Sequence, residues 1–346
     1  MSARETAMPR PLPAFGRCRV PAPGVLRRSA PPAGGAPVEF REHLLRGLAL
    51  PQKRTSPKYL YDERGSRLFD EITRLPEYYP TRTELGILER RLPEIAETIG
   101  PRALVVEPGA GSGLKTRRLM EGLDRPVGIA LIDISPEYVR ASAERLRAAL
   151  PGVEVLPVLA DFTRPFAVPA PRARAERTVV FFPGSTIGNF EAAEAAEILE
   201  NFGDIAASRG GDGGVLLGAD LVKPAGVLLR AYDDAAGVTA RFNLNLLERA
   251  NREAGANFDL AAFRHEARWN AGLSRIEMHL VSMREQTVSV AGHAFRFAEG
   301  ESIHTESSRK FTRATLEELT ASAGLAVRAF WTDEAGWFSL SWLEPA

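Results

Sequence analysis

The sequence contains very little cysteine, and its histidines do not follow the spacing of metal-binding motifs. Cys18 is the only cysteine among 346 residues, so no disulfide can form within the chain, and we expect a reducing compartment. The five histidines show no H-x-x-H, H-E-x-x-H or cysteine–histidine spacing. We therefore predict that the protein holds no metal ion.

The sequence also lacks an excess of charge of either sign. It has 44 basic and 44 acidic residues, which gives no long-range field to attract nucleic acid or an anionic membrane. No apolar run approaches the length of a membrane span. We expect a cytoplasmic protein that binds a small molecule, with no nucleic acid or membrane partner, and we expect a monomer.

Residues 1–37 differ in composition from the rest of the chain. They include eight prolines and six arginines but a single acidic residue, Glu5. Such a segment cannot bury enough apolar surface to offset the entropy of ordering it. We predict a disordered tail, and we expect no secretory signal because the segment has no continuous apolar stretch.

The remainder of the chain has the pattern of an α/β protein. Apolar strands that alternate with helices imply a parallel sheet covered on both faces. The predicted strands of this sheet are 103–107, 127–132, 153–159, 177–183 and 213–219, and the predicted helices between them are 114–122, 136–150 and 192–208. Helices are also predicted at 38–48, 65–73 and 82–99, at 224–233, 236–254 and 259–267, and at 315–323. Further strands are predicted at 274–283, 286–291 and 293–298, and an antiparallel pair at 326–332 and 337–343 closes the sheet edge.

A glycine-rich turn follows the first strand of the sheet. The strand ends at Glu107, and Gly109, Gly111 and Gly113 then precede a predicted helix. Glycine permits positive φ and lets a ligand approach the backbone, and a helix N-terminus offers free N–H groups. The next strand ends in Asp133, about 20 residues further along, where a carboxylate can accept both ribose hydroxyls. The pattern predicts a site for an adenosine-containing cofactor.

The glycine spacing favours one cofactor over another. A dinucleotide site has the pattern G-x-G-x-x-G, whereas this chain has G-x-G-x-G preceded by Glu107. A carboxylate there would repel a pyrophosphate but would suit an ammonium group. S-adenosylmethionine (SAM) carries an ammonium, a sulfonium and a carboxylate, and Lys115 could face the carboxylate. SAM is therefore the predicted cofactor.

Several long segments resemble a known family, the L-histidine Nα-methyltransferases of the ergothioneine pathway. The longest is PKYLYDERGSRLFDEITRLPEYYPTR at 57–82, and EPGAGSGLKTR at 107–117 and PGSTIGNF at 183–190 follow it. Shorter matches are LVK at 221–223, RAYDDAAGVTARFN at 230–243, RIEM at 275–278 and TESSRKF at 305–311. The similarity extends over residues 38–346.

The resemblance implies a class I, Rossmann-like SAM methyltransferase core with an inserted α+β substrate-binding lobe. The lobe would comprise residues 38–82 and 223–310, and the core would comprise 83–222 and 311–346. It also implies that the enzyme transfers three methyl groups to the α-amino group of L-histidine and forms hercynine.

The resemblance further implies roles for individual residues. Gly109 and Lys115 would bind the methionine end of the cofactor, Asp133 the ribose, and Asp161 with Phe162 the adenine. Glu107, Gly111 and Tyr61 complete the predicted cofactor contacts. The predicted substrate contacts are Asn189 and Tyr232 to the carboxylate, Glu306 and Ser308 to the imidazole, Met278 packing against the ring, and Tyr78 near the amine. Tyr61 and Tyr78, which would close over the amino group, are the predicted catalytic residues.

Three other functions compete with this one. The same chemistry could act on another amino acid such as tryptophan, although an apolar residue in place of Glu306 would suit an indole better. A nicotinamide dehydrogenase is disfavoured by the glycine spacing, by Glu107 and by the absence of a catalytic histidine pair. A cofactor-binding module without catalysis would not need the predicted substrate residues.

Overall fold

The computed structural model describes residues 35–109, 111, 113–209 and 212–346. Nearly all of the predicted tail 1–37 therefore lies outside the described residues, as does Cys18. The first described helix, α1, begins at Gly35, within the last residues of that predicted tail. Residues 36–346 form one compact unit.

The central feature is a seven-stranded sheet. Its strands are β1 (Ala103–Pro108), β2 (Gly128–Asp133), β3 (Glu154–Leu159), β4 (Arg177–Phe182), β5 (Gly214–Asp220), β11 (Leu325–Thr332) and β12 (Phe338–Pro345). The strand order is β11-β12-β5-β4-β1-β2-β3. Strands β1 to β5 pair in parallel, whereas β12 is antiparallel to both β5 and β11. The predicted parallel sheet, closed by an antiparallel pair, is confirmed.

Helices cover the sheet because its central strands are buried throughout. Every residue of β1 and β5 is buried, so both faces of the sheet need cover. The helices that precede, connect or follow the strands of this sheet in the sequence are α3 (Tyr79–Ile99), α4 (Leu114–Gly122), α5 (Pro136–Ala149), α6 (Ala192–Ala207) and α9 (Arg313–Ser322). Two hydrophobic clusters, one containing Val105 and the other Val106, lie on opposite faces of the sheet.

The other elements come from two separate parts of the chain. They are α1 (Gly35–Leu48), α2 (Glu63–Ile72), α7 (Ala225–Tyr232), α8 (Val238–Glu253), β6 (Phe263–Asn270), β7 (Arg275–Ser282), β8 (Gln286–Val290), β9 (His293–Phe297) and β10 (Ser302–Arg309). Strands β10, β7 and β6 form one antiparallel sheet, and β8 pairs with β9. The buried residues of the third hydrophobic cluster all lie within 40–79 and 228–303.

Polar contacts connect these two parts. The Asp62 carboxylate caps α2 by accepting from the Gly65 N–H at 2.8 Å, and it also accepts from Asn245 and Arg252, both at 2.7 Å. Arg249 donates to the Tyr59 carbonyl at 2.9 Å. These contacts support a common lobe formed by 38–82 and 223–310, and the proposed boundaries remain a prediction.

One predicted helix is wrong. Residues 259–267 form a short 3-10 turn at Leu260–Ala262 followed by β6, which pairs with β7 along its whole length. The residue types are acceptable in a helix, but β7 presents a complete row of backbone partners. Tertiary pairing therefore overrides a weak local propensity. Among the described helices, none combines the length and the apolar character needed to cross a bilayer.

Candidate active site

The candidate site lies where the strand order of the large sheet reverses. Strand β1 has β2 on one side and β4 on the other, so the connections leave in opposite directions and open a crevice at the carboxyl ends. A cavity of about 1230 Å³ occupies this position and continues toward β10. Its volume is sufficient for a cofactor and a small substrate together.

The cavity brings together almost all of the predicted site residues. They are Tyr61, Tyr78, Glu107, Gly109, Gly111, Lys115, Asp133, Asp161, Phe162, Asn189, Tyr232, Glu306 and Ser308. Met278 is the exception, because its side chain is buried in the hydrophobic cluster of the lobe and does not line the cavity. Met278 is the β7 partner of Glu306, and its predicted contact with the substrate remains a prediction.

The glycine turn provides open backbone at the cofactor end. Gly109 and Gly113 have φ of +73° and +79°, which explains why glycine is needed at both positions. A β-carbon added at Gly111 would meet no protein atom within 4 Å, so this part of the turn has room for a ligand. Gly109 is anchored by its N–H, which donates to the Ile132 carbonyl at 2.8 Å.

Glu107 presents an unsatisfied carboxylate to the same end of the cavity. Its Oε2 atom is buried and has no hydrogen-bond partner among the described residues. Burial raises the pKa of Glu107 to about 7. A buried carboxylate without a partner is costly, and an ammonium group would remove that cost. The arrangement therefore fits the ammonium of SAM.

Asp133 lies at the end of β2, one strand away from Glu107. Its Oδ1 accepts from the Ser135 N–H at 2.8 Å, which fixes the orientation of the carboxylate beside the cavity. Burial raises the pKa of Asp133 to about 6. The position after the second strand is the one from which an acidic residue reaches a ribose.

Lys115 has a partner that the sequence did not reveal. Its ammonium pairs with Glu84 of α3, which is 1% exposed and also accepts from the Gly184 N–H at 2.9 Å. Lys115 still lines the cavity, and an ammonium has three hydrogens, so the geometry leaves room for the predicted carboxylate contact. Glutamate within a predicted helix resembles an ordinary surface residue, and no sequence signal pointed to Glu84.

Asp161 and Phe162 follow β3 at the side of the cavity. The Asp161 carboxylate accepts from the Thr163 N–H at 3.0 Å and pairs with Lys58 at 3.4 Å. Phe162 meets Phe182 edge to face, with 5.4 Å between the ring centroids. Their predicted contacts with adenine remain predictions.

Aromatic rings form the wall between the two ends of the cavity. Tyr61 contacts Phe69 and Phe242 edge to face, with centroids 5.5 and 5.4 Å apart. Tyr78 meets Tyr232 with centroids 6.2 Å apart. Burial raises the pKa of all three tyrosines well above the ordinary value, so the phenols stay protonated at neutral pH. Electron-rich faces of this kind suit a cationic group.

The far end of the cavity is formed by β10. The register between β10 and β7 shifts between His304 and Glu306, and such a bulge changes the direction of the following side chains. Glu306 and Ser308 are two residues apart, and both side chains line the cavity. Oε2 of Glu306 is buried without a hydrogen-bond partner among the described residues, and burial raises the pKa of Glu306 to about 7.

Asn189 reaches the same end from a different element. It ends the 3-10 turn Thr186–Asn189, which packs against β10. A β-carbon at Gly188 would lie 2.7 Å from the Arg309 carbonyl oxygen, so only glycine permits this close approach. The approach brings Asn189 to the cavity that Ser308 also lines.

One group of side chains in the described residues has the composition of a metal site. Glu277, His279 and His304 each offer a ligand atom, and these atoms lie within 4.8 Å of one another. However, the two histidine rings stack with 17° between their planes and 5.0 Å between centroids. A nitrogen lone pair lies in the plane of its ring, so nearly parallel rings do not aim at one ion. The three residues therefore do not form a converging ligand set.

Comparison with known proteins gives a consistent result. Residues 40–345 match the family model described as "Histidine-specific methyltransferase, SAM-dependent". The chain is 44% identical to a histidine N-alpha-methyltransferase of Mycolicibacterium smegmatis, over 89% of this chain and 96% of the relative. It is 42% identical to the Mycobacterium tuberculosis protein of the same name, over 87% and 94%. It is also 30% identical to ergothioneine biosynthesis protein 1 of Neurospora crassa, over 79% of this chain and 31% of that protein.

Proposed function

Because the chain belongs to the family of histidine-specific, SAM-dependent methyltransferases, we propose that it transfers methyl groups from SAM to the α-amino group of L-histidine. Three successive transfers give hercynine, a step of ergothioneine biosynthesis. The structural observation that carries the proposal is one cavity with a buried carboxylate at each end, Glu107 and Glu306, and the Oε2 atom of each has no hydrogen-bond partner among the described residues.

The Glu107 end takes the cofactor. Glu107 binds the ammonium of SAM, Gly109 and Gly111 provide open backbone for the methionine portion, and Asp133 accepts the ribose hydroxyls. Lys115 faces the carboxylate while it remains paired with Glu84. When bound, SAM supplies an activated methyl group on a sulfonium centre.

The Glu306 end takes the imidazole ring. The Glu306 carboxylate accepts from a ring N–H, and Ser308 bonds the second ring nitrogen as donor or acceptor. A site that pairs both nitrogens rejects an apolar side chain, because the buried Glu306 would remain without a partner. Asn189 and Tyr232 bind the substrate carboxylate.

The amine lies between the two ends, against Tyr61 and Tyr78. Both phenols are protonated at neutral pH, so neither accepts the proton of the substrate ammonium as a base. The proton goes to water, and the phenol oxygens hold the neutral amine in line, so positioning accounts for most of the catalysis. The aromatic faces then stabilise the quaternary ammonium that forms.

A competition assay with mass spectrometry tests the function. The protein is incubated with excess SAM and an equimolar mixture of amino acids that includes histidine and tryptophan. The expected result is that histidine gains up to three methyl groups and tryptophan gains none. Preferential methylation of tryptophan would favour the alternative substrate. Turnover of no amino acid, with SAM bound, would favour a module without catalysis.

A further inference from the structure

A buried lysine lies directly behind the substrate end of the cavity. The side chain of Lys310 is 0% exposed, and its Nζ donates to Ser308 Oγ at 2.8 Å and to the Tyr232 hydroxyl at 2.9 Å. Its third contact is the buried Asp220 Oδ2 at 2.8 Å. The three hydrogens of this ammonium are therefore all used.

These contacts determine which way the two hydroxyl groups point. Both Tyr232 and Ser308 accept a hydrogen from Lys310, so the hydrogen of each hydroxyl must be directed elsewhere. The two oxygens are 2.7 Å apart, and one of their two hydrogens lies between them. Neither oxygen has another hydrogen-bond partner among the described residues. One hydroxyl hydrogen therefore remains for the cavity that both residues line.

The same lysine also places a positive charge directly behind Tyr232. Asp220 accepts from Lys223 Nζ at 2.5 Å as well as from Lys310, and it accepts from the Tyr79 hydroxyl at 2.7 Å. Two ammonium groups thus share one carboxylate. The Lys310 ammonium lies next to Tyr232, with its Nζ 4.6 Å from the centre of the ring, and it also interacts with the buried Glu306 carboxyl group. In a buried setting such a charge is screened less than at the surface.

We propose that Lys310 is a positioning residue that makes the Tyr232–Ser308 pair, through the Tyr232 hydroxyl, a hydrogen-bond donor toward the carboxylate of the substrate. This inference rests on the proposed function and adds a residue that positions the contact with the substrate carboxylate. An amide that carries the same imidazole ring offers this donor a neutral carbonyl oxygen, which is a weaker acceptor than a carboxylate. Without Lys310, an oxygen lone pair of either hydroxyl could face the cavity instead of a hydrogen, so the preference for a carboxylate would weaken.

The test compares L-histidine with L-histidinamide, which differs only in the carboxylate. The variant is Lys310→Met, which keeps the length of the side chain and leaves Asp220 paired with Lys223. The matched control is Lys223→Met, because Lys223 is equally buried and shares Asp220 but contacts neither Tyr232 nor Ser308.

We expect Lys310→Met to lower kcat/KM for histidine by about 10- to 100-fold, mainly through KM, which is the scale for a lost charged hydrogen-bond partner. The kcat/KM for histidinamide should change less than about threefold, so the variant should lose most of the preference for histidine over histidinamide. Lys223→Met should retain the preference, and SAM affinity by calorimetry should be the same in all variants.

An unchanged preference in Lys310→Met would overturn the role of Lys310 while the parent activity still supports the methyltransferase. A parent that neither binds nor methylates histidine would overturn both. If Lys310→Met does not fold, Lys310→Gln gives the second test. Glutamine keeps a polar group beside Asp220 but removes the charge and can accept as well as donate, so a retained preference for histidine over histidinamide would again contradict the proposal.

Discussion

Replacing Glu306 by glutamine should stabilise the ligand-free protein while it impairs the turnover of histidine. The Glu306 carboxylate is 8% exposed, its Oε2 has no partner among the described residues, and burial raises its pKa from 4.5 to about 7. In the unfolded chain the same group is ionised above about pH 4.5. Folding at neutral or alkaline pH therefore requires the carboxylate to enter an environment that disfavours its charge.

The magnitude and sign follow from proton linkage. When the pKa of an acidic group is higher in the folded state than in the unfolded state, ionisation of the group lowers the free energy of unfolding. This destabilisation is greatest at a pH where the group is ionised in both states. With values of 4.5 and about 7, the cost is about 3 kcal/mol at pH 8, about 1 kcal/mol at pH 5 and close to zero at pH 4. Glutamine has the same shape and carries no charge. Glu306→Gln should therefore raise the free energy of unfolding by up to about 3 kcal/mol at pH 8, with a gain that disappears toward pH 4.

Urea unfolding of the parent and the variant at pH 8, 6.5 and 5 measures this gain. Glu266→Gln on strand β6 of the same sheet is the control. Arg268 and Arg264 hold the pKa of Glu266 below its ordinary value, so its ionised form favours folding and its loss has the opposite sign. A gain for Glu306→Gln that is absent at pH 8, or that is the same at every pH, would refute the reasoning.

Three further changes separate the two ends of the cavity. Glu306→Ala should reduce kcat/KM for histidine by about 2–4 kcal/mol, or thirty- to a thousandfold, with SAM affinity unchanged, and steady-state kinetics with calorimetry would check both quantities. Asp133→Ala should weaken SAM binding by roughly 2–4 kcal/mol, and an unchanged affinity in calorimetry would remove Asp133 from the ribose site. Gly111→Ala should leave the melting temperature within about 2 °C, because its β-carbon meets no protein atom, yet it should weaken SAM binding; a large loss of thermal stability would contradict this interpretation.

The sequence predicted the core of the fold because that part obeys local rules. Predominantly apolar strands separated by helices predict a parallel sheet, and closely spaced glycines, two of which have positive φ, mark the turn after β1. The carboxyl ends of parallel strands meet at one edge, so the order of the strands along the chain is enough to bring Glu107 and Asp133 together. The resemblance added the residues of the second lobe, including Glu306 and Ser308, whose positions on the cavity depend on packing between distant segments.

The charged residues behind the site were not predicted, for a physical reason. Glu84, Asp220 and Lys310 are buried, but in the sequence they resemble surface residues in a helix or at the end of a strand. Their burial depends on partners such as Lys115 and Lys223 that become neighbours only after folding. The periodicity of apolar residues indicates which face of a helix or strand is buried. It does not indicate whether a charged residue forms an ion pair with a residue on another helix or strand.

The unpaired carboxylates connect affinity with stability. Glu107 and Glu306 each have a pKa of about 7, so each is partly protonated in the free protein near neutral pH. A cationic or N–H-donating ligand binds the ionised form and must first displace that proton. Binding of SAM and of histidine should therefore strengthen as the pH rises through 7, and the same rise in pH weakens the ligand-free fold. The two buried carboxylates therefore lower the stability of the ligand-free protein. Binding of SAM and of histidine offsets this loss of stability.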